Sequence, residues 1–189
     1  MRRRYRCSLV CCALLGCLAV GMFAASCEAT TTPTTSGVQL LALQPADFGF
    51  VAAYGAYGKN EIDTFNGTFS KDIVSQTKPN PTAELRLTSG ELASLYQDLR
   101  TMRILDYPSN MDTTNTGVTA STPTSYRLDI RAGGIKKSIS WEHGEFAGTP
   151  EAKALQDWFK KLQEMIEAKP EYQQMPPLEG GYAMCSRGT

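Results

Sequence analysis

Residues 125–142 read Ser-Tyr-Arg-Leu-Asp-Ile-Arg-Ala-Gly-Gly-Ile-Lys-Lys-Ser-Ile-Ser-Trp-Glu. Tyr126, Leu128 and Ile130 alternate with Arg127, Asp129 and Arg131, the two-residue period of a strand with one apolar and one charged face. Gly133-Gly134 is the two-residue turn of a β-hairpin. The return strand runs from Ile135 to His143, with Ile139 and Trp141 on one face and Ser138, Ser140 and Glu142 on the other. A hairpin of this kind belongs to an antiparallel sheet that packs one face and wets the other.

Working outward from it, Thr149-Pro150-Glu151 opens a helix: Thr as N-cap, Pro at the first helical position, Glu in the positive first turn. Leu155, Trp158, Phe159, Leu162, Met165 and Ile166 form its apolar stripe, and Lys169-Pro170 is expected to end it. On the N-terminal side, residues 109–124 form a long polar loop, a length that is uncommon without a purpose. Before it, Thr88-Ser-Gly-Glu91 reads as a capping box. The helix it opens carries Leu92, Leu95, Tyr96, Leu99 and Met102 on one stripe and is expected to end near Ile104. Three strands precede that helix: Phe48 to Tyr54, Asp63 to about Val74, and Thr82 to Thr88, the first two separated by a turn at Gly55-Ala-Tyr-Gly58-Lys-Asn60. The order is βββ-α-ββ-α. The expected fold is α+β: an antiparallel sheet of about five strands with two amphipathic helices packed on one face. The other face carries Glu84, Arg86, Arg127, Asp129 and Arg131 and is expected to be a salt-bridged, solvated surface.

The chain has 189 residues, with 19 Lys+Arg, 19 Asp+Glu and 42% hydrophobic residues. That is one domain with enough apolar material for a core, and the neutral balance excludes a strongly basic nucleic-acid binder. The average conceals a leader. Arg2, Arg3, Arg4 and Arg6 precede an uncharged apolar run from Cys7 to Ala25, the pattern of a secretory signal peptide. Residues 1–26 are expected to be removed. Residues 27–40 form a Thr/Pro-rich tether, and residues 41–189 a single α+β domain. Starting at Cys27, the chain has 15 basic and 19 acidic side chains, a net charge of −4. Only Cys27 and Cys185 would remain, so an internal disulfide framework is not expected.

The leader ends in Ala24-Ala25-Ser26-Cys27, which resembles the lipobox of bacterial lipoproteins. That resemblance implies a diacylglyceryl group on the Cys27 thiol and cleavage that leaves Cys27 as the new N-terminus. It departs from the commonest pattern at Ala24, where a larger aliphatic residue is usual. Leu14-Leu15-Gly16-Cys17 is a competing match, rejected because it would leave Leu18 to Ala25 as an apolar stretch directly after the anchor. The body, with Phe65-Asn-Gly-Thr-Phe-Ser-Lys-Asp72 and Glu171-Tyr-Gln-Gln-Met-Pro-Pro-Leu-Glu-Gly-Gly-Tyr182, resembles small uncharacterised lipoproteins of Gram-positive bacteria. The resemblance implies a surface-tethered α+β domain and brings no catalytic residues with it.

The chain has no nucleophile elbow, P-loop, dinucleotide fingerprint or Ser-x-x-Lys motif, and no cofactor or metal is expected. The single histidine, His143, lies in Trp141-Glu-His-Gly-Glu145. On a strand Glu142 and His143 point to opposite faces, and the set lacks the spacing of a zinc motif. Cys185 lies four residues from the end with no positioned base in view. Asn66-Gly-Thr68 matches a glycosylation sequon and reads as chance within a strand. Tyr54 and Tyr57, beside the glycine-rich turn, are candidates for a binding edge, with Trp141 and His143 as further candidates. Two functions follow. The first is a membrane-tethered extracytoplasmic module, held in the bilayer through acylated Cys27 on the outer face of the cell membrane, that binds a protein or an envelope component. The alternative is a small tethered or secreted hydrolase or metal-dependent enzyme gathering His143 with nearby carboxylates.

Overall fold

The computed structural model describes residues 38–111, 124–142 and 149–182. Six strands form one open antiparallel sheet: β1 Gly49–Tyr54, β2 Asn60–Asp63, β3 Thr68–Ser70, β4 Thr82–Glu84, β5 Ser125–Ala132 and β6 Ile135–Glu142. Their spatial order is β4-β3-β2-β1-β5-β6. Three helices accompany them: α1 Ser89–Thr101, α2 Pro150–Glu167 and the single turn α3 Pro170–Gln173, with a 3-10 turn at Ile104–Asp106.

Register explains why the sheet has an inside. Ala83, Phe69, Ile62, Ala52, Leu128 and Ile139 lie opposite one another in turn, an unbroken apolar row across all six strands. Phe50, Ala52 and Tyr54 of β1 join the stripes of α1 and α2 in one core. The rings meet edge to face: Phe50 on Trp158 with centroids 5.3 Å apart, Phe48 on Tyr96 at 4.8 Å, and Tyr54 on Phe159 at 6.3 Å. The helices are joined by the Trp158 indole, which donates to the Leu95 carbonyl at 3.2 Å, and by Lys161, which meets Asp98 at 2.5 Å.

The sequence features that open the helices act as expected. Thr88 Oγ1 accepts from the Glu91 amide at 3.2 Å, and Glu91 returns a carboxylate oxygen to the Thr88 amide at 2.6 Å. Thr149 caps α2 through the Ala152 amide. Helix α1 stops at Thr101 because Arg103 adopts a left-handed conformation, φ 55°.

Three expectations need correction. The sheet has six strands, not about five, because the strand expected from Asp63 to Val74 is broken by a turn: it holds only the last residue of β2, which begins at Asn60, and all of β3. Asp63 Oδ1 accepts from the amides of Phe65 and Asn66, and Gly67 takes φ 68°, so the chain folds back into a β2–β3 hairpin. Asn66 therefore sits in a turn, not within a strand. The strand expected from Thr82 to Thr88 pairs only over Thr82–Glu84. Lys169-Pro170 does end α2, but Pro170 then serves as the first residue of α3.

The face opposite the helices is charged in rows. Arg127 reaches across Ala53 to Glu61 at 2.9 Å, which the small alanine between them allows. Arg127 also meets Asp129 at 3.1 Å, and Asp129 accepts from Ser138. This is the expected cross-strand salt-bridged surface. In the next row Gly49 has no side chain, and the Phe65 ring lies on it under the Arg131 guanidinium, 4.4 Å from the ring centroid. The outer edge of β6 is partly covered, since the chain at Ser109–Met111 exchanges backbone bonds with Ser140 in parallel. The rest of the expected 109–124 loop, residues 112–123, lies outside the described residues.

Candidate functional site

The turn after β1 is built from residues held in the left-handed region: Gly55 at φ 88°, Tyr57 at 55° and Gly58 at 65°. For the glycines this costs little. For Tyr57 it costs on the order of 1 kcal/mol, and the surrounding structure has to hold it there. Gly58 and Lys59 donate back to Gly55 and Ala56, Ser125 donates to the Gly55 carbonyl at 2.9 Å, and Asn60 Nδ2 reaches the Tyr54 carbonyl. The result presents a half-exposed tyrosine at the end of the sheet.

A second segment comes to the same corner from far along the chain. Tyr182 sets its ring edge to face against Tyr57, with centroids 5.7 Å apart. The Lys59 ammonium lies 5.5 Å from the Tyr57 ring centroid and 5.2 Å from that of Tyr182. The Tyr182 hydroxyl donates to Asp72 Oδ2 at 2.6 Å. Asp72, at 6% exposure, is the one buried charged side chain among the described residues. Its other oxygen accepts from the Val74 amide at 2.9 Å, holding that β-branched residue at φ 54°. Its own amide donates to Asn60 Oδ1. One asparagine therefore ties Asp72 to the end of β1.

The tail is laid down beside this carboxylate. The Glu179 amide donates to the Ile73 carbonyl at 2.8 Å, and Lys78 pairs with Glu179 at 2.6 Å. Gly180 passes so close that a Cβ there would stand 2.8 Å from the Val74 carbonyl oxygen. Between tail and loop runs a cleft of about 500 Å³ of mixed lining, bordered by Val74, Ser75, Thr77, Glu179 and Tyr182.

The charge states follow from these neighbours. The bond to Tyr182 outweighs burial and, with Asp72 nearby, raises Lys59, which stays cationic. Burial and then the bond to Asp72 raise Tyr182, which stays a neutral donor. The Lys78 ammonium holds the Glu179 carboxyl below its usual range. The corner therefore offers two phenol faces, an ammonium and hydrogen-bonding groups. It is suited to holding a ligand by stacking and hydrogen bonds and, among the described residues, contains no paired nucleophile and base.

Of the residues singled out in the sequence, Tyr57 is in this corner. Tyr54 and Trp141 are core residues instead. Tyr54 stacks on Phe69, and burial pushes its phenol well above the usual range. Trp141 lies flat on Tyr126 at 4.8 Å, with Phe159 edge-on. Glu142 ends β6 in solvent, while His143, Glu145, Cys27 and Cys185 lie outside the described residues. Among the described residues no three His, Cys, Asp or Glu side chains gather where they could hold a metal ion. Sequence reading missed Lys59, Asp72, Gly180 and Tyr182. In the sequence Asp72 has no partner at a spacing that would mark it, and the tail has no periodicity to announce that it returns to the sheet. No family model matches the chain, and no curated protein or solved structure is significantly similar to it.

Proposed function

We propose that this chain is a membrane-tethered extracytoplasmic lipoprotein whose domain is a binding module. The tether rests on the leader, the Ala24-Ala25-Ser26-Cys27 sequence and the polar stretch that follows. Two acyl chains on Cys27 hold a protein stably at a bilayer, where one chain alone is marginal. No helix among the described residues is long and apolar enough to cross a membrane. The observation that carries the binding reading is the corner made by Tyr57, Lys59 and Tyr182. Its rings are positioned by a buried carboxylate and by a strained turn, and such positioning has a cost that core packing does not require. An extracytoplasmic partner presenting a stacking face and hydrogen-bonding groups, protein or envelope component, fits it.

The test is intact mass and fractionation of the protein from membranes of its native host. The expected species begins at Cys27, carries a diacylglyceryl group and stays with the membrane. An unmodified chain in the medium would overturn the tether and make Cys27 incidental. Capture of envelope components on the wild-type chain, but not on Tyr57→Ala, tests the corner.

A further inference from the structure

Val38, Leu41 and Leu43 are three of the six large apolar side chains exposed among the described residues, at 66%, 57% and 83%. They fall within six residues of chain, Val38-Gln-Leu-Leu-Ala-Leu43, of which only Leu40 turns into the core. The segment is anchored at Leu41. The Tyr96 hydroxyl donates to the Leu41 carbonyl at 2.8 Å, and the Leu41 side chain leans over Gly133 of the β5–β6 turn. Four residues beyond Leu43, Asp47 ties the following chain to the same turn, accepting from the Gly133 amide at 2.7 Å and the Gly134 amide at 3.0 Å.

Beside this apolar ledge, Arg131 and Lys136 stand directly opposite each other on β5 and β6. Like charges so placed repel. Neither is ion-paired with a carboxylate among the described residues, and Asp47, the carboxylate acting on Arg131, is already committed to the turn amides. Lys137, on the helix face, caps the Tyr107 carbonyl. Exposed aliphatics next to an unbalanced cationic pair match the apolar boundary and anionic headgroups of a bilayer surface.

Chain length points to the same occupant. Ten residues separate Cys27 from Val38, and fully extended they let the chain span at most about 38 Å over eleven Cα steps. They end at this ledge. We infer that residues 38–43 and the β5–β6 turn dock the domain onto the anionic lipid surface to which Cys27 tethers it; the inference rests on the tether reading above.

The test uses the full chain in host membranes, with Cys185→Ser as background. Leu43→Cys and the exposed control Thr77→Cys are labelled with a membrane-impermeant maleimide, before and after detergent. Leu43→Cys should react at least about tenfold more slowly on membranes than in detergent, and Thr77→Cys equally in both. Arg131→Glu with Lys136→Glu should abolish the protection. Equal rates for Leu43→Cys, with Cys27 acylated by intact mass, would overturn docking and leave the tether standing. Protection that survives the charge reversal but is lost when the chain is diluted in the membrane would mean a second copy covers the ledge, and would also overturn it. If mass shows Cys27 unmodified, the tether fails. Docking is then read by sedimenting the released chain with phosphatidylcholine vesicles with and without phosphatidylglycerol. Binding to the anionic vesicles alone, lost in the charge-reversed pair, would uphold it, and no binding would refute it.

Discussion

Breaking the bond between Tyr182 and Asp72 tests whether the binding corner is a built structure. Asp72→Ala removes two bonds, from the Tyr182 hydroxyl at 2.6 Å and from the Val74 amide at 2.9 Å. A hydrogen bond to a charged group contributes about 1.5–3 kcal/mol, and the two share one acceptor, so the expected loss is about 3 kcal/mol. Of these two, Tyr182→Phe removes only the first, together with the bond from exposed Lys59 to the same hydroxyl, and should cost about 1.5–2 kcal/mol. The two residues touch, so the losses should not add. The double variant should be more stable than their sum predicts by about 1–2 kcal/mol. Urea unfolding followed by tryptophan fluorescence is the assay, since Trp141 and Trp158 both sit in the core and report its loss. A coupling inside the additivity error of about 0.3–0.5 kcal/mol would show that the tail does not rest on Asp72 in solution. The corner would then lose Tyr182, and the binding reading with it.

Other expectations concern the frame around the site. Gly49→Ala places a Cβ 2.4 Å from the Phe65 ring, so Phe65 and the Arg131 above it must move; the expected cost is about 1–2 kcal/mol, and Phe65→Ala in the same chain should relieve it, as thermal unfolding would show. Thr88→Ala should cost about 1 kcal/mol through loss of the capping box, measured in the same way. Burial raises the Glu91 carboxyl, but its bonds to Lys169 and Thr88 overcome this and leave it below its ordinary value of 4.5. A carboxyl depressed in the folded state contributes stability above the unfolded value that is lost as pH falls through the folded one. The melting temperature should therefore fall with acidification below pH 4.5, and this component should be missing in Glu91→Gln. Arg127→Ala, at an exposed ion pair, should change stability by no more than about 1 kcal/mol.

What could be read from the sequence was whatever repeats locally. The β5–β6 hairpin, the Thr88–Glu91 capping box and the stripes of α1 and α2 each follow from a period or a short spacing, and each is where it was expected. The β2–β3 hairpin was missed because Asp63, Phe65, Gly67 and Phe69 keep a two-residue alternation straight through the turn. The carboxylate of Asp63 and the positive φ of Gly67 reverse the chain without interrupting the pattern. The site was harder to read for a related reason. Tyr57 announces itself beside glycines, but its partners Asp72 and Tyr182 are separated by 110 residues and joined by one hydrogen bond. Trp141 and Tyr54 show the converse error. An aromatic residue near a strand end satisfies both a core and a binding edge, and only the helix packed above it decides which.

The register of the sheet sets the two proposed surfaces apart. Gly49 of β1 pairs with Arg131, so the β5–β6 turn, with Asp47 and Leu41 against it, lies at the start of β1. Tyr54 pairs with Asn60, and Ala56 bridges Thr124, so the Tyr57 corner lies at the other end of the same strand. Six strand residues separate them, about 20 Å at 3.3 Å each. A domain resting on the bilayer by residues 38–43 therefore holds Tyr57, Lys59 and Tyr182 away from the lipid, where a partner outside the membrane can reach them. The consequence can be measured. A fluorophore on Thr77→Cys, which borders the cleft beside Tyr182, should be quenched by a soluble quencher and not by quenchers attached to the lipid chains, with the reverse pattern for one on Leu43→Cys. The same response at both positions would show that the domain has no fixed orientation on the membrane, and the corner would then need some other means of facing its partner.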